Sequence, residues 1–442
     1  MLVFISDLHF EDGSAGTHNI NFHAFKGFTE DLIQLSEDAK EVQIILLGDI
    51  FDLNRSATWF EAGMTKPWST EDLFSPEVGR SAGKILSKII NGNRQSLDII
   101  KSWTNGALGN KKVEIIFIPG NHDRLVNCFP HLRARIRKIF NMSDSDAEFD
   151  HVFKNQECKV FAFHGHEYDP TNFGTDFKHG IHFDDQDMYQ RIPMGDVISA
   201  EFGAQLYYLA KMMQNQQHIP DSPEFTMFLE HISEIDNVRP SSAVFDWLYY
   251  QLKNEKSYAD FFKMVIDQVV HNILGLDYVQ KWLDLNKEYG ALYKLADGIE
   301  TLYNILAKKD KNITGDIVEW YFSHLYGKLG SGEHHNETIR DQVSSTLIPI
   351  WGDYDYFIAG HTHKHILMPI RVMNDGREKV YINTGTWRKN VLKCYQPGYH
   401  IVNQLTSLCF YSPDENHDKK RNQIYEIWNG TLKEEANSRM QS

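Results

Sequence analysis

Residues 2–9 read Leu-Val-Phe-Ile-Ser-Asp-Leu-His, an apolar run that ends abruptly at two polar side chains, Asp7 and His9. A continuous apolar run of this kind is typical of a strand buried on both faces of a sheet. Open α/β sheets bind their ligands just beyond the carboxyl ends of such strands. The stretch therefore predicts a buried strand that delivers a carboxylate and an imidazole to a binding site.

The same arrangement recurs four more times along the chain. The four stretches are Ile44–Gly48 before Asp49-Ile50-Phe51-Asp52, Ile115–Gly120 before Asn121-His122-Asp123, Val160–Phe163 before His164-Gly165-His166, and Tyr356–Gly360 before His361-Thr362-His363. Any one of them has an ordinary explanation as a helix cap, a turn or a pair of surface histidines. Together they predict that five strands bring carboxylate, amide and imidazole groups to one edge of one sheet, as a site for two metal ions requires.

The length of the chain indicates more than one structural unit. It has 442 residues, and single hydrophobic cores stop growing at about 250–300 residues. We therefore expect a second domain or a large insertion. The formal net charge is −15. Such a surface repels phosphate backbones, so broad electrostatic binding to nucleic acid is not favoured, although a local basic groove is not excluded.

Cysteine content and hydropathy favour a cytoplasmic protein. The four cysteines form no CxxC pair that would indicate a zinc ribbon or a redox motif, and sparse cysteines fit a reducing compartment. The apolar first residues lack a basic n-region and a cleavage site. No apolar stretch approaches the roughly 20 residues that span a bilayer, so we expect no membrane span.

The order of predicted elements favours an α/β fold with an insertion. Helical patterns in the first part of the chain cover His23–Lys40, Gly79–Thr104 and Phe129–Phe140. Strand patterns return later at Tyr354–Ala359, Ile366–Val372, Lys379–Asn383 and Tyr399–Ser407. We therefore predict one α/β domain formed by residues 1–185 and 346–442, interrupted by an all-helical insertion of residues 186–345.

The predicted insertion enters the chain between the fourth and fifth ligand-bearing strands. Helical patterns within it cover Gln205–Met213, Phe245–Leu252, Phe262–Ile273, Leu276–Leu285, Ala291–Leu306 and Ile317–Leu325. Because the insertion joins the domain beside the predicted site, we expect a helical lid that limits substrate access. A surface that binds a protein partner or a second copy of the chain is the alternative.

In their order, the five motifs resemble those of the calcineurin-like metallophosphoesterase superfamily. Its pattern is DxH, GDxxD, GNHD or GNHE, a histidine at a strand end, and GHxH. The chain has Asp7-Leu8-His9, Gly48–Asp52, Gly120–Asp123, His164 and Gly360–His363, followed by Asn383–Trp387, which is similar to the family's segment after GHxH. The resemblance covers residues 1–170 and 350–410, and it implies a β-sandwich flanked by helices and hydrolysis of a phosphoester.

The resemblance also implies two metal ions that share one carboxylate. The first ion would be held by Asp7, His9, Asp49 and His363. The second ion would be held by Asp49, Asn121, His164 and His361. Two cations about 3.5–4 Å apart repel each other, so a carboxylate between them is needed. Oxygen and imidazole ligands suit Mn²⁺, the metal we expect, with Fe, Zn, Ni or Mg as alternatives, and a set without thiolate does not indicate structural zinc.

For the reaction, we expect a hydroxide between the two ions to attack phosphorus in line with the leaving oxygen. His122 is expected to contact the phosphoryl oxygen or to protonate the leaving oxygen, with Asp123 orienting its ring. Asp52 is expected behind the metal ligands and not among them.

Three further side chains have two interpretations each. Arg55 and Arg124 follow two of the motifs, so they either contact phosphate or form surface salt bridges. His166 follows the fourth motif and either touches the substrate or supports a metal ligand.

Several reactions share such a site. After Asp52 the chain continues with Leu53 and Asn54, so the GDxVDRG pattern of serine/threonine phosphoprotein phosphatases is absent. Lipid A precursor hydrolases typically carry GNRD where this chain has GNHD with His122, which does not favour that class. Nuclease branches usually continue into a DNA-binding segment, whereas in this chain the large insertion precedes GHxH. A phosphodiester is therefore the favoured substrate, with phosphomonoesterase and DNA exonuclease or endonuclease activities as alternatives. A non-catalytic scaffold is not favoured, because such members usually lose metal ligands and this chain retains every position.

Overall fold

The computed structural model describes most of the chain around the predicted site. It describes residues 1–16, 18–169, 171–173, 183, 185–239, 243, 244, 247, 248, 250, 251, 258–286, 335–394, 398–412, 415 and 424–430. The predicted helices at Ala291–Leu306 and Ile317–Leu325 lie outside the described residues, as does much of Phe245–Leu252.

The described strands form two five-stranded sheets and one three-stranded sheet. The first sheet contains, in spatial order, β13 (Tyr425–Gly430), β12 (Leu405–Phe410), β1 (Leu2–Ile5), β2 (Glu41–Leu47) and β3 (Lys112–Ile118). The second contains β4 (Val152–Asn155), β5 (Val160–Phe163), β7 (Tyr356–Ala359), β9 (Glu378–Asn383) and β8 (Ile366–Val372). The smallest contains β11 (Tyr399–Asn403), β10 (Lys389–Lys393) and β6 (Val238–Arg239).

Strands β1, β2 and β3 are parallel neighbours, with Val3 beside Ile44. Successive side chains of a strand point to opposite faces of its sheet. Val3 and Ile5 therefore pack in one apolar core, whereas Leu2 and Phe4 pack in another. Burial on both faces explains why these strands are continuous apolar runs and do not alternate between apolar and polar residues.

The two five-stranded sheets face each other across the second of these cores. Leu47 and Ile118 of the first sheet pack there with Val160, Ala162 and Ile358 of the second. Strand β1 pairs with β12 and β2, whereas β5 and β7 pair with each other and with other neighbours. The five motifs therefore follow strands of two sheets, and the prediction of a single sheet is wrong.

Helices cover the outer face of each five-stranded sheet, which makes the fold α/β. The described α-helices are α1 (Phe22–Leu35), α2 (Pro76–Gly92), α3 (Arg94–Ser102), α4 (Arg124–Cys128), α5 (Pro130–Ile139), α6 (Gln186–Tyr189), α7 (Met194–Val197), α8 (Gln205–Gln216), α9 (Pro223–Ser233), α10 (Ala259–Leu274), α11 (Asp277–Asn286), α12 (His335–Gln342) and α13 (Ile348–Trp351). None of these helices combines the length and the apolar character that crossing a bilayer would need.

The helix α2 begins where local sequence signals favour a helix start. The Ser75 hydroxyl accepts a hydrogen bond from the backbone N–H of Val78, and Pro76 occupies the first helical position. The predicted helix Gly79–Thr104 is observed as two helices, because Asn93 leaves the helical conformation with φ −113° and ψ 20°. Its amide holds the break by donating to the Glu11 and Ile89 carbonyls.

Strand boundaries in the last part of the chain differ from the predictions. The pattern Tyr399–Ser407 is observed as two strands, β11 and β12, which belong to different sheets. Strands β4, β6, β10 and β13 were not predicted. They are short or lie at or near sheet edges, where the apolar pattern is weaker than in the buried central strands.

The described part of residues 186–345 packs against the α/β domain. Leu206, Phe225 and Val265 belong to the same apolar core as Val3 of β1. This part is mainly helical, and the pattern at Phe262–Ile273 forms part of α10. It is not wholly helical as predicted, because Val238 and Arg239 form β6, which pairs with the edge of β10.

Candidate metal centre

The turns after the ligand-bearing strands adopt an uncommon backbone conformation. In the described part of the chain, eight non-glycine residues have positive φ, and five of them are predicted metal ligands. These are Asp7 (φ 53°), His9 (φ 45°), Asp49 (φ 54°), His361 (φ 70°) and His363 (φ 59°). Such conformations cost on the order of 1–3 kcal/mol each and cluster at functional sites. The fold therefore holds these side chains in one direction at the expense of stability.

Two glycines allow the turns to approach each other closely. A Cβ atom on Gly360 would lie 2.6 Å from Asp7 Oδ2, and one on Gly120 would overlap the Asp49 carboxylate. Only glycine leaves room for a carboxylate at these two places. The GNHD and GHxH glycines thus shape the space into which Asp49 and Asp7 point.

The structure brings Asp7, His9 and His363 together as a first cluster of potential metal-binding atoms. Asp7 Oδ1 lies 3.3 Å from His363 Nε2 and 3.8 Å from His9 Nε2. The two imidazole Nε2 atoms are 2.9 Å apart. All three residues are buried, so a cation held between them would be shielded from solvent.

Asp49, His164 and His361 form a second cluster beside the first. Asp49 Oδ2 lies 3.3 Å from His164 Nε2 in this cluster and 3.7 Å from His9 Nε2 in the other. One carboxylate oxygen therefore faces both clusters. That is the position of a ligand shared by two cations.

Two buried polar atoms near Asp49 are placed to bind a cation. His164 Nδ1 donates to the Leu47 carbonyl at 2.9 Å, so Nε2 is the ring nitrogen that faces the Asp49 carboxylate and would bind a cation once it has lost its proton. Among the residues that the structure describes, neither His164 Nε2 nor Asn121 Oδ1 has a hydrogen-bond partner. Buried polar atoms without a partner are costly, and a cation bound between these two removes this cost. Carboxylate, imidazole and amide donors together fit a divalent metal ion of the Mn²⁺, Fe or Zn type.

Carboxylates behind two of the imidazoles fix their orientation. His9 Nδ1 donates to Asp52 Oδ2 at 3.1 Å, and His361 Nε2 donates to Asp169 Oδ2 at 3.0 Å. Such partners set the tautomer of a metal-binding histidine and increase its basicity. Asp52 lies behind the cluster, where we expected it. Asp169 was missed, because an acidic residue five positions after His164 follows no recognised spacing.

His122 lies at the open side of the two clusters. Its side chain is 20% exposed, compared with 3% for His9. His122 Nδ1 donates to Asp52 Oδ1 at 2.8 Å. The potential ligand atoms of His9, Asp49 and His122 also lie within 4.8 Å of one another. His122 is therefore the imidazole best placed to meet a molecule that enters from solvent.

Asp123 does not orient His122, and this part of the prediction is wrong. The Asp123 carboxylate accepts hydrogen bonds from the backbone N–H groups of Gly120 at 2.6 Å and Ile50 at 2.8 Å. It is fully buried. Asp123 therefore ties the GNHD turn to the GDxxD turn, and Asp52 has the orienting contact to His122.

Neighbouring imidazoles keep the buried carboxylates of Asp49 and Asp52 charged. Burial by itself would raise the pKa of Asp49, but the charges of His164 and His122 lower the pKa well below its ordinary value. Burial likewise opposes ionisation of Asp52, and His122 and His9 lower its pKa. Burial would lower the pKa of His164, but Asp49 raises it to about 10. Asp49 therefore stays in the ionised form that binds metal ions, and Asp52 stays an acceptor for His9 and His122.

Arg55 and Arg124 are buried and pair with residues of the insertion. Arg55 forms an ion pair with Asp236, and Arg124 forms one with Asp196. Both guanidinium groups are buried, so their ion pairs are not surface salt bridges, and neither guanidinium is exposed for contact with a phosphate. Both arginines hold the insertion on the α/β domain, because each guanidinium needs its carboxylate partner in a buried place.

His166 is buried beside the second cluster and does not face solvent. It is 1% exposed, and its ring packs edge-on against Phe173 and Tyr189. Its Nδ1 lies 3.5 Å from Glu167 Oε2. The structure therefore places His166 behind His164, so that the substrate contact considered from the sequence is not favoured.

Arg239 of the insertion also reaches the site and was missed. Its Nη2 lies 2.6 Å from His363 Nδ1. Arg239 follows no sequence motif and lies 124 residues from His363. The pairing of β6 with β10 brings it near the GHxH turn.

Comparison with known proteins agrees with the site geometry. Residues 1–208 match the family model of the calcineurin-like phosphoesterases. A comparison with curated proteins finds no match. The matched region contains four of the five motifs. The fifth, with His361 and His363, lies beyond it and is joined to the others by the clusters described above.

Proposed function

We propose, because residues 1–208 match the family model of the calcineurin-like phosphoesterases, that the protein is a metallophosphoesterase that hydrolyses a phosphodiester with the aid of two divalent metal ions. The observation that carries the proposal is the Asp49 carboxylate, because its Oδ2 faces both His164 and His9. Metal-dependent hydrolysis of a phosphoester is the activity that the family match indicates. The diester preference is the finer part of the proposal.

In this proposal the predicted ligand sets are retained. The first ion would be held by Asp7, His9, Asp49 and His363, and the second by Asp49, Asn121, His164 and His361. When bound, the ions would supply a water that ionises near neutral pH and would neutralise charge on the phosphoryl oxygens. The mixed oxygen and nitrogen donors favour Mn²⁺ among the candidate metals.

His122 would act on the leaving group of the substrate. The His122 side chain is 20% exposed to solvent, compared with 3% for His9. His122 Nδ1 donates a hydrogen bond to Asp52. The other ring nitrogen, Nε2, is thereby left to contact a phosphoryl oxygen or to give a proton to the leaving oxygen. Asp52 positions both His122 and His9, so it links the acid to the metal site.

Two further parts of the proposal concern organisation and location. We propose that residues 1–185 and 346–442 form the catalytic domain and that residues 186–345 form an insertion that limits access to it. The ion pairs of Arg55 and Arg124 with the insertion support a fixed cover more than a freely moving lid. We also propose a cytoplasmic location, because cysteines are sparse in the sequence and form no CxxC pair.

The test uses the full chain purified without metal and reloaded with Mn²⁺. Hydrolysis of bis(p-nitrophenyl) phosphate and of p-nitrophenyl phosphate is measured at matched metal content. We expect a higher kcat/KM for the diester. A higher value for the monoester would assign the alternative, phosphomonoesterase activity.

A panel of cyclic nucleotides, nucleotide diphosphates and single-stranded DNA then defines the substrate class. Cleavage of DNA in preference to small diesters would favour the nuclease alternative. A protein that binds two ions and hydrolyses none of these compounds would contradict the proposal and indicate a binding function. The Asp49→Asn variant serves as the inactive control, because it alters the shared carboxylate.

A further inference from the structure

The insertion contacts a predicted metal ligand directly. Strand β6 of the insertion pairs in parallel with β10, with Arg239 beside Leu392. This pairing brings the Arg239 side chain to the GHxH turn, where its Nη2 lies 2.6 Å from His363 Nδ1. The contact links the insertion to an imidazole of the first cluster.

The direction of this hydrogen bond is fixed by the chemistry of arginine. A guanidinium group has N–H donors and no acceptor. His363 Nδ1 must therefore accept, and it must carry a lone pair. In a neutral imidazole with an unprotonated Nδ1, the hydrogen lies on Nε2.

That tautomer conflicts with metal binding through Nε2. His363 Nε2 points into the first cluster, 2.9 Å from His9 Nε2 and 3.3 Å from Asp7 Oδ1. A metal-binding histidine uses the lone pair of one ring nitrogen and donates the N–H of the other to a carboxylate or carbonyl. With Arg239 bonded to Nδ1, the lone pair of His363 lies on Nδ1, whereas Nε2 is the nitrogen that points into the cluster.

The other three imidazoles of the predicted ligand set have the opposite arrangement. His9 donates to Asp52, His164 donates to the Leu47 carbonyl, and His361 donates to Asp169. Each of these partners is an acceptor. Among the four predicted histidine ligands, His363 is thus the one whose second nitrogen faces a donor.

Arg239 is held more weakly than the other arginines that join the insertion to the α/β domain. Its remaining hydrogen bonds go to the backbone carbonyls of Asp236 at 2.7 Å and Val238 at 2.9 Å. In the part of the chain that the structure describes, Arg239 has no carboxylate within ion-pairing distance, and the Asp236 carboxylate pairs with Arg55. Arg55 and Arg124 therefore act as anchors, whereas Arg239 can leave His363 without breaking an ion pair.

We propose that Arg239 and the first metal ion compete for His363, so that loading of the Asp7, His9 and His363 cluster requires Arg239 to withdraw. The inference rests on the proposed two-metal function and adds its regulation. By linkage, any partner that holds Arg239 away from His363 would increase metal affinity, and metal binding would shift the insertion around β6. The insertion is then coupled to metal loading as well as to substrate access.

The test compares Mn²⁺ binding by calorimetry in variants of the full chain. Arg239→Gln and Arg239→Ala remove the charged donor, and Arg239→Lys keeps a cation that can only donate. For Arg239→Gln and Arg239→Ala we expect one of the two Mn²⁺ affinities to rise at least about tenfold. The wild-type chain must break a hydrogen bond from a charged group when the ion binds, and these two variants have no such bond to break. The lysine variant should remain close to wild type. Arg80→Gln, an exposed arginine paired with Glu77, is the control for loss of one positive charge.

A second measurement does not depend on the folding of any variant. A crystal structure of the wild-type chain loaded with Mn²⁺ should show that Arg239 no longer contacts His363 Nδ1. Coordination of an ion at the first cluster while this contact persists would overturn the inference. So would equal Mn²⁺ affinities in the wild type and in folded Arg239→Gln.

The outcomes separate this inference from the proposed function. A chain that binds no Mn²⁺ in any variant would refute both. A chain that binds two ions and hydrolyses a phosphoester, with affinities that do not depend on Arg239, would refute the inference alone.

Discussion

Substitution of Asp52 by asparagine tests which residue orients His122. The structure indicates Asp52, whereas we predicted Asp123 from the sequence. Asp52 Oδ1 accepts from His122 Nδ1 at 2.8 Å and from the Arg55 backbone N–H at 2.9 Å, and Oδ2 accepts from His9 Nδ1 at 3.1 Å. An asparagine has one acceptor oxygen and one NH₂ group. In either orientation of the amide, one imidazole then faces a donor in place of an acceptor.

The size of the effect follows from the hydrogen bond that is lost. A hydrogen bond to a charged group contributes about 1.5–3 kcal/mol, and loss of a partner behind a metal-binding histidine typically lowers affinity or activity about 10–100-fold. We therefore expect Asp52→Asn to lower kcat/KM for bis(p-nitrophenyl) phosphate by about 10–100-fold. If the amide NH₂ faces His9, Mn²⁺ affinity at the first cluster falls as well.

Asp123→Asn is the matched comparison, because it makes the same change at the residue next to His122. Asp123 accepts from backbone N–H groups of Gly120 and Ile50, so its amide would leave one buried donor unpaired. We expect a loss of about 1–3 kcal/mol in the free energy of unfolding. At saturating Mn²⁺, kcat should stay within about threefold of wild type, since no imidazole loses its partner.

Steady-state kinetics, metal analysis and urea unfolding of the two variants give the answer together. The reasoning would be refuted if Asp123→Asn lowered kcat/KM as strongly as Asp52→Asn while both proteins remained folded and loaded. It would also be refuted if Asp52→Asn retained wild-type kinetics. The first result would return the orienting role to Asp123.

Three further outcomes are expected. Removal of metal by a chelator should lower Tm by several degrees and Mn²⁺ should restore it, since an ion at 100 times its Kd contributes about 2.7 kcal/mol; an unchanged Tm in thermal scans would argue against ions bound at the buried carboxylates. Asp49→Asn should nearly abolish turnover and metal occupancy, whereas His122→Ala should cut turnover and leave both ions bound in metal analysis; loss of metal from the second variant would show that His122 is a ligand. Asp196→Asn should cost about 3–5 kcal/mol in urea unfolding, because it leaves the buried Arg124 without its charged partner; a cost below about 1 kcal/mol would show that Arg124 is solvated.

The positions of the metal-binding groups could be predicted because each depends on local sequence. A strand buried on both faces is a continuous apolar run, and its carboxyl end is where the chain must turn. Asp7 and Asp49 stand at such ends, and the structure brings them to one place. The number of sheets could not be read in this way, because the pattern of β1 is the same whether its neighbour is β5 or β12.

The partners of the imidazoles could not be predicted from spacing. Asp123 is adjacent to His122 in sequence, yet its side chain turns back to the backbone of Gly120 and Ile50. Asp52 is 70 residues from His122 and contacts it. A hydrogen bond between side chains depends on the direction of both turns, and a one-dimensional pattern contains no information about that direction.

The net charge of the chain likewise does not predict which charged residues of the insertion form ion pairs. A net charge of −15 describes the chain as a whole, but Asp196 and Asp236 are used to neutralise two buried arginines of the α/β domain. Deleting residues 186–345 would remove the charged partners of Arg55 and Arg124. It would also expose the apolar core to solvent. Loss of activity in such a deletion would therefore report misfolding as readily as loss of a lid. Substitutions at Arg239 avoid this problem, because that side chain forms no ion pair in the described part of the chain, and they change the contact between the insertion and the metal centre without removing the anchors.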